Sequence, residues 1–221
     1  MWRKFQWVMG FGVLSSFVCV SYATARDGGG ASNGGGKSVS CPDERPVILD
    51  VYGMDVDGPP ADRASFETFV FNQLAGVNPG FAERWRREWE RLGDSESWER
   101  VPVLGADTMD SFHGYMSFGG CRVDQVAFFV RGEWVSRKVS WNYDALSVLQ
   151  RRILELHESI YVIGARDYGQ LTSTLTRLVV ANLLVKAPRR YRLERALFDF
   201  VTYPWAVAVP MVEGSNPIHT L

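Results

Sequence analysis

Arg122-Val123-Asp124-Gln125-Val126-Ala127-Phe128-Phe129-Val130, Arg131-Gly132-Glu133 and Trp134-Val135-Ser136-Arg137-Lys138-Val139-Ser140-Trp141 read as two extended arms around a hairpin turn. β-Branched and aromatic residues crowd both arms, and a glycine stands where the chain must reverse. The period then changes. Leu146, Leu149, Ile153, Leu156, Ile160 and Ile163 recur at alternating spacings of three and four, which predicts one long helix over 143–163 with Asn142 as its cap.

Upstream of this hinge, Pro46-Val47-Ile48-Leu49-Asp50-Val51-Tyr52 predicts a short buried strand stopped by Gly53. Asp62 is placed to cap a helix through about Leu74, with Phe66, Phe69, Val70 and Leu74 on one face. Asn78-Pro79-Gly80 interrupts the chain before a second amphipathic helix that carries Phe81, Trp85, Trp89 and Leu92. Strands are predicted at 101–104 and 115–118. Beyond the long helix, Gly164 and Gly169 frame a loop, and helices are predicted at 172–185 and 192–200, followed by an extended tail with Pro204 and Pro210. Helices segregated from an antiparallel hairpin region indicate an α+β fold, and no internal repeat is visible.

The composition of the 221 residues is that of a globular protein: 46% hydrophobic, 13% aromatic, 22% charged. A formal charge of −1 provides no excess of cations to neutralise phosphates, so a nucleic-acid partner is not expected. Residues 1–25 read as a secretory signal. Arg3 and Lys4 precede an apolar stretch, and Ala23-Thr24-Ala25 offers a small-x-small cleavage site. Removing that segment leaves 22 basic against 25 acidic side chains. The stretch is too short for a comfortable membrane span, and no other segment is long and apolar enough for one. The expectation is a soluble exported protein, periplasmic or extracellular.

Residues 26–40 carry Gly28-Gly29-Gly30 and Gly34-Gly35-Gly36 and read as a flexible tether, with one globular domain over 41–221. Cys19 leaves with the signal. Cys41 and Cys121 then form an even pair in an exported chain, which favours a disulfide over a reactive or metal-binding thiol pair.

The most informative chemistry lies in Leu156-His157-Glu158-Ser159-Ile160-Tyr161. In H-E-x-x-H, two histidines one helical turn apart hold zinc while the glutamate polarises water. Here the second histidine is replaced by Tyr161, so His157, Glu158 and Tyr161 form an incomplete version, with His157 and Tyr161 as candidate metal ligands. His113 and His219 have no spacing that points to this helix. At 100° per residue His157 stands about 80° from the centre of the apolar stripe and Glu158 about opposite it. The structural reading therefore makes His157 a hydrogen-bonded boundary residue. Glu158 then pairs with Arg177, whose guanidinium lies among Leu175, Leu178, Val179 and Val180 and needs a carboxylate.

Other candidates are weaker. Asp50, Asp55, Asp57 and Asp62 lack the spacing of a calcium loop and suit turn and cap roles. Trp85 and Trp89 are spaced with Phe81 for core packing rather than for stacking on sugars, the role also considered for Trp98. Arg189-Arg190-Tyr191-Arg192 with Arg195 suits either an anionic lipid or polymer surface or a solvated helix start.

Gly119-Gly120-Cys121, Gln125-Val126-Ala127, Leu156-His157-Glu158-x-Ile160-Tyr161, and Thr172-Ser173 with Arg177-Leu178-Val179 occur in that order. This pattern resembles a family of small exported proteins found in many copies in predatory Gram-negative bacteria, over about residues 119–185. The resemblance implies a shared domain but transfers no catalytic role, because the family has no established activity. Tyr168-Gly169-Gln170 departs from it where relatives often carry a histidine or charged residue after the glycine.

The functional expectation is a non-enzymatic binding protein of the envelope or its surroundings, with an unknown protein or envelope partner and no cofactor. The alternative is a divergent zinc-dependent hydrolase centred on the His-Glu-x-x-Tyr helix. Whether the chain is an enzyme stays open at this level.

Overall fold

Asp62 and Asn78 start the first two helices by the same device. Each side chain accepts the backbone N–H three residues on, at 2.8 Å from Ser65 and 2.9 Å from Phe81. The helices are α1 (Arg63–Val77) and α2 (Pro79–Leu92), the second with proline in its first turn. Their apolar faces meet through Phe66, Val70, Leu74, Phe81, Trp85 and Trp89, all buried, with Phe66 stacked on Trp89 at 5.7 Å. Both tryptophans expected in the core lie there, whereas Trp98 falls outside the described residues. The computed structural model describes residues 35–56, 58–93, 99–101, 120–130, 135–170, 172–186 and 190–202.

Strands among these residues form two three-stranded sheets. β1 (Lys37–Ser40) pairs antiparallel with β2 (Val47–Ile48) on one side and with β4 (Arg122–Gln125) on the other. In the second sheet, β6 (Val135–Val139) runs parallel to β3 (Glu99–Val101) and antiparallel to β5 (Ala127–Val130). The helices that follow are α3 (Ser140–Asp144), α4 (Val148–Asp167), α5 (Thr174–Leu184) and α6 (Arg190–Thr202). The fold is α+β, with its longest helix in the C-terminal half.

Several boundaries differ from the sequence reading. The arm expected as one strand over 122–130 changes partner at Val126, whose N–H and that of Ala127 both bond to the Gly36 carbonyl. The predicted 46–52 strand is extended only at Val47–Ile48 and then coils into a 3-10 turn at Leu49–Val51. The single helix over 143–163 is two. The cap of α4 is Ser147, whose hydroxyl accepts the Gln150 N–H at 3.2 Å, rather than Asn142, which donates to the Gln125 carbonyl. The strand predicted at 115–118 lies outside the described residues, as do residues 1–34.

The largest correction concerns the end of the glycine-rich segment. Residues 35–40 are no tether, because they enter the core and β1 is the middle strand of its sheet. Glycine is required there for closeness. A Cβ on Gly36 would fall 1.9 Å from the Leu154 side chain on α4, and one on Gly35 would fall 2.3 Å from the Ala127 carbonyl oxygen and 2.7 Å from the Phe128 Cα. Gly35 also has φ +150°, which L residues rarely adopt. Gly35→Ala must therefore displace backbone, and it is expected to lower unfolding free energy by about 2–3 kcal/mol in urea titration. An unchanged midpoint would mean that this segment is not seated as described.

A disulfide links Cys41 to Cys121, one step beyond the last register pair Ser40–Arg122, and so bolts β1 to β4. Among the described residues no helix is long and apolar enough to cross a membrane.

Candidate functional site

α4 is the element that carries the His-Glu-x-x-Tyr sequence, and its surroundings overturn the boundary reading. Every residue from Ile153 to Ala165 is buried, so this stretch is enclosed on all sides rather than along one stripe. α2 and α5 pack against it, and β2 and β5 also touch it. A helix so enclosed must satisfy each polar group internally. Glu155 accepts from the Arg152 guanidinium, one turn earlier on the same helix, at 2.8 and 2.9 Å. The Trp85 indole donates to Ser159 Oγ at 3.0 Å, and that hydroxyl donates to the Leu156 carbonyl.

His157 and Glu158 are both fully buried and sit at the junction of four elements. His157 Nδ1 lies 2.6 Å from Oδ2 of Asp50, which the 3-10 turn after β2 carries into the interior. The other Asp50 oxygen is 3.8 Å from Arg177 Nε on α5. Glu158 Oε1 accepts the Gly36 N–H at 2.7 Å, just before β1. Arg177, expected to pair with Glu158, thus enters the same cluster beside Asp50, and Glu158 also holds the Gly36 backbone there. Tyr161, one turn after His157, lies nearly parallel to the imidazole with ring centres 6.3 Å apart, and meets Phe129 edge to face at 5.5 Å.

No family model, curated protein or solved structure matches the chain.

Burial is the strongest influence on His157 and opposes its charged form. The Asp50 carboxylate, by its charge and hydrogen bond, and then Glu158, outweigh that, with Arg177 acting against them; the net effect raises the imidazole pKa above its ordinary 6.5. A raised pKa means that the folded state holds the proton more tightly than the unfolded chain. The stabilisation is complete below about pH 6.5 and is lost as pH rises through the folded-state value. Unfolding free energy should therefore decline above about pH 6.5, and His157→Gln should remove that part of the slope. A wild-type slope preserved in the variant would assign it to other groups.

A zinc ion would need His157, Tyr161 and further donors open to one point. Among the described residues His157 Nε2 has no hydrogen-bond partner, and an aspartate behind the other ring nitrogen is the arrangement that orients metal-bound histidines. The other donors do not fit. Asp50 and Glu158 are turned to His157 and Gly36, and among the described residues no three His, Cys, Asp or Glu side chains are grouped to hold a metal. His113 and His219 lie outside the described residues. The aspartates considered for calcium are dispersed. Asp50 is in this cluster, Asp55 is 3.8 Å from Lys186 on the surface, Asp62 caps α1, and Asp57 falls outside the described residues.

The sequence reading missed two participants. Asp50 is a lone acid inside the apolar run Val47-Ile48-Leu49-Asp50-Val51, and that isolation is itself the signal of a buried partner. Gly36 left no comparable mark, since it acts through its backbone N–H.

Proposed function

We propose that this chain is an exported, non-enzymatic protein that acts by binding a partner in the envelope or its surroundings, periplasmic or extracellular. One observation carries the reading. The residues with catalytic potential, His157, Glu158 and Tyr161, are fully buried and joined to Asp50, Gly36 and Phe129, so a substrate could reach them only by opening the core. Catalytic groups need contact with the reacting atoms, and these are placed to join elements instead. The Cys41–Cys121 disulfide supports an oxidising compartment. Membership of the exported family of predatory bacteria is part of the same proposal, resting on the motif order from Gly119 to Val179.

The test is affinity capture from native envelope extracts with the exported chain as bait. A partner retained by the folded bait and lost after disulfide reduction and denaturation supports the reading. Turnover of a peptide or ester panel that disappears in Glu158→Gln, with stability unchanged, would favour the hydrolase.

A further inference from the structure

The Cys41–Cys121 bridge lies near the surface and is touched by a proton donor. Both cysteines are half-buried, and residues 42–45, Gly120 and Arg122 beside them are exposed. The Tyr52 hydroxyl lies 3.5 Å from Cys41 Sγ and 3.8 Å from Cys121 Sγ. A bridged sulfur carries no hydrogen, so the phenol is the donor in both contacts. Neutral disulfide sulfur is a weak acceptor, whereas a thiolate is ionised and accepts more strongly. The hydroxyl therefore favours the opening bridge over the closed one.

The backbone beside each cysteine is left-handed. Asp43 is the one non-glycine residue of positive φ among the described residues, at 62°, and Gly120 directly before Cys121 has φ 90°. An L side chain in that region is strained, and opening the bridge frees one end of the turn that holds Asp43. Two short paths then lead inward. Cys41 directly follows β1, and Gly36 directly precedes it with its N–H on Glu158. Tyr52 directly follows the 3-10 turn, whose Asp50 meets His157. Both paths start at the sulfurs and end on adjacent residues of α4.

We propose that Cys41–Cys121 is a redox switch that a dithiol opens in the folded protein, with Tyr52 positioning the departing thiolate and β1 and the 3-10 turn carrying the change to Glu158 and Asp50. This goes beyond the binding reading and does not depend on it. One thiolate of the dithiol attacks Cys121 Sγ. As the new S–S bond forms, the Cys41–Cys121 bond breaks and its electron pair leaves on Cys41 Sγ, the sulfur nearer the Tyr52 hydroxyl. The second sulfur of the dithiol gives its proton to water, attacks the first and frees Cys121 as a thiolate. Both thiolates take protons from water, the dithiol departs as a disulfide, and two electrons have passed to the bridge. The reverse exchange with a disulfide closes it again.

The test treats the folded, oxidised protein with dithiothreitol and counts alkylatable thiols over time. Reduction is expected in the native state, so its rate constant should change by less than about twofold in urea below the unfolding transition. A rate that climbs in step with the unfolded population would overturn the proposal, and this measurement needs no variant. Tyr52→Phe should slow reduction by about fivefold at the wild-type melting temperature of the oxidised form. Lost packing alone would speed reduction, so a variant reduced as fast as wild type or faster would refute the part given to Tyr52. In the reduced protein the Gly36 amide should exchange at least about tenfold faster while Val70 on α1 keeps its rate, and closure by glutathione disulfide should restore Gly36. An unchanged Gly36 rate after reduction would mean that the bridge switches nothing.

Discussion

Asp50→Ala should cost about 3–5 kcal/mol of unfolding free energy, the range for removing one member of a buried ion pair. The carboxylate is bonded to His157 and faces Arg177, so its loss leaves two cationic groups in the interior with Glu158 as the nearby anion. The variant should also change its response to pH. Without Asp50, the main influence raising the His157 pKa is gone, and burial should drive the imidazole to its neutral form. Asp50→Asn separates the two effects by keeping the shape and a hydrogen-bonding oxygen while removing the charge. Chemical denaturation at pH 6 and pH 8 is the measurement. Wild type should be the more stable at the lower value, and both variants should lose that preference.

Loss of the disulfide should have an effect of similar size. Cys41 and Cys121 are separated by 80 positions, and closing a loop of that length restricts the unfolded chain by about 4–5 kcal/mol in the chain-entropy account. The link sits at the open end of the β1–β4 pair, while Gly36 at the other end of β1 is bonded to Glu158. Reduction should therefore loosen β1 before the helices. Cys41→Ser with Cys121→Ser is expected to show faster amide exchange at Val39 and Ser40 than at α4, alongside the lower denaturation midpoint. Uniform acceleration across β1 and α4 would mean that the bridge acts only through global unfolding.

Local signals were the legible ones. Asp62 marked its helix because a side-chain oxygen three residues ahead of an orphan N–H is enough to start a turn, whereas Asn78, read only as part of a break, caps α2 by the same device. The stripe Phe81, Trp85, Trp89 located its face for the same reason, since periodicity and burial coincide where one side meets solvent. On α4 they part. Leu146, Leu149 and Ile153 continue one spacing across the break at Ser147, so periodicity could not divide α3 from α4. Ser147 three residues before Gln150 did carry the capping signal. Nor could the stripe foresee enclosure of the opposite side by strands distant in sequence. His157 was thus placed at a boundary when it lies in the interior.

The glycine-rich segment was misread for a related reason. Absence of side chains suggests flexibility when viewed locally, yet at Gly35 and Gly36 it permits an approach to Ala127 and Leu154 that any Cβ would block. The Asp50–His157 contact spans 107 positions and the Gly36–Glu158 contact 122, so neither could arise from spacing along one helix.

The His-Glu-x-x-Tyr helix is enclosed from Ile153 to Ala165 and joins elements of the core. The most direct test of that role compares zinc content and thermal stability of the protein, purified oxidised without chelator or affinity metal, with those of His157→Ala. No stoichiometric zinc is expected in either protein, and the melting temperature should be lower in the variant by roughly 10 °C, since each kcal/mol moves a domain of this size by a few degrees. One zinc per chain, lost in His157→Ala while the melting temperature is otherwise explained by metal removal alone, would contradict it.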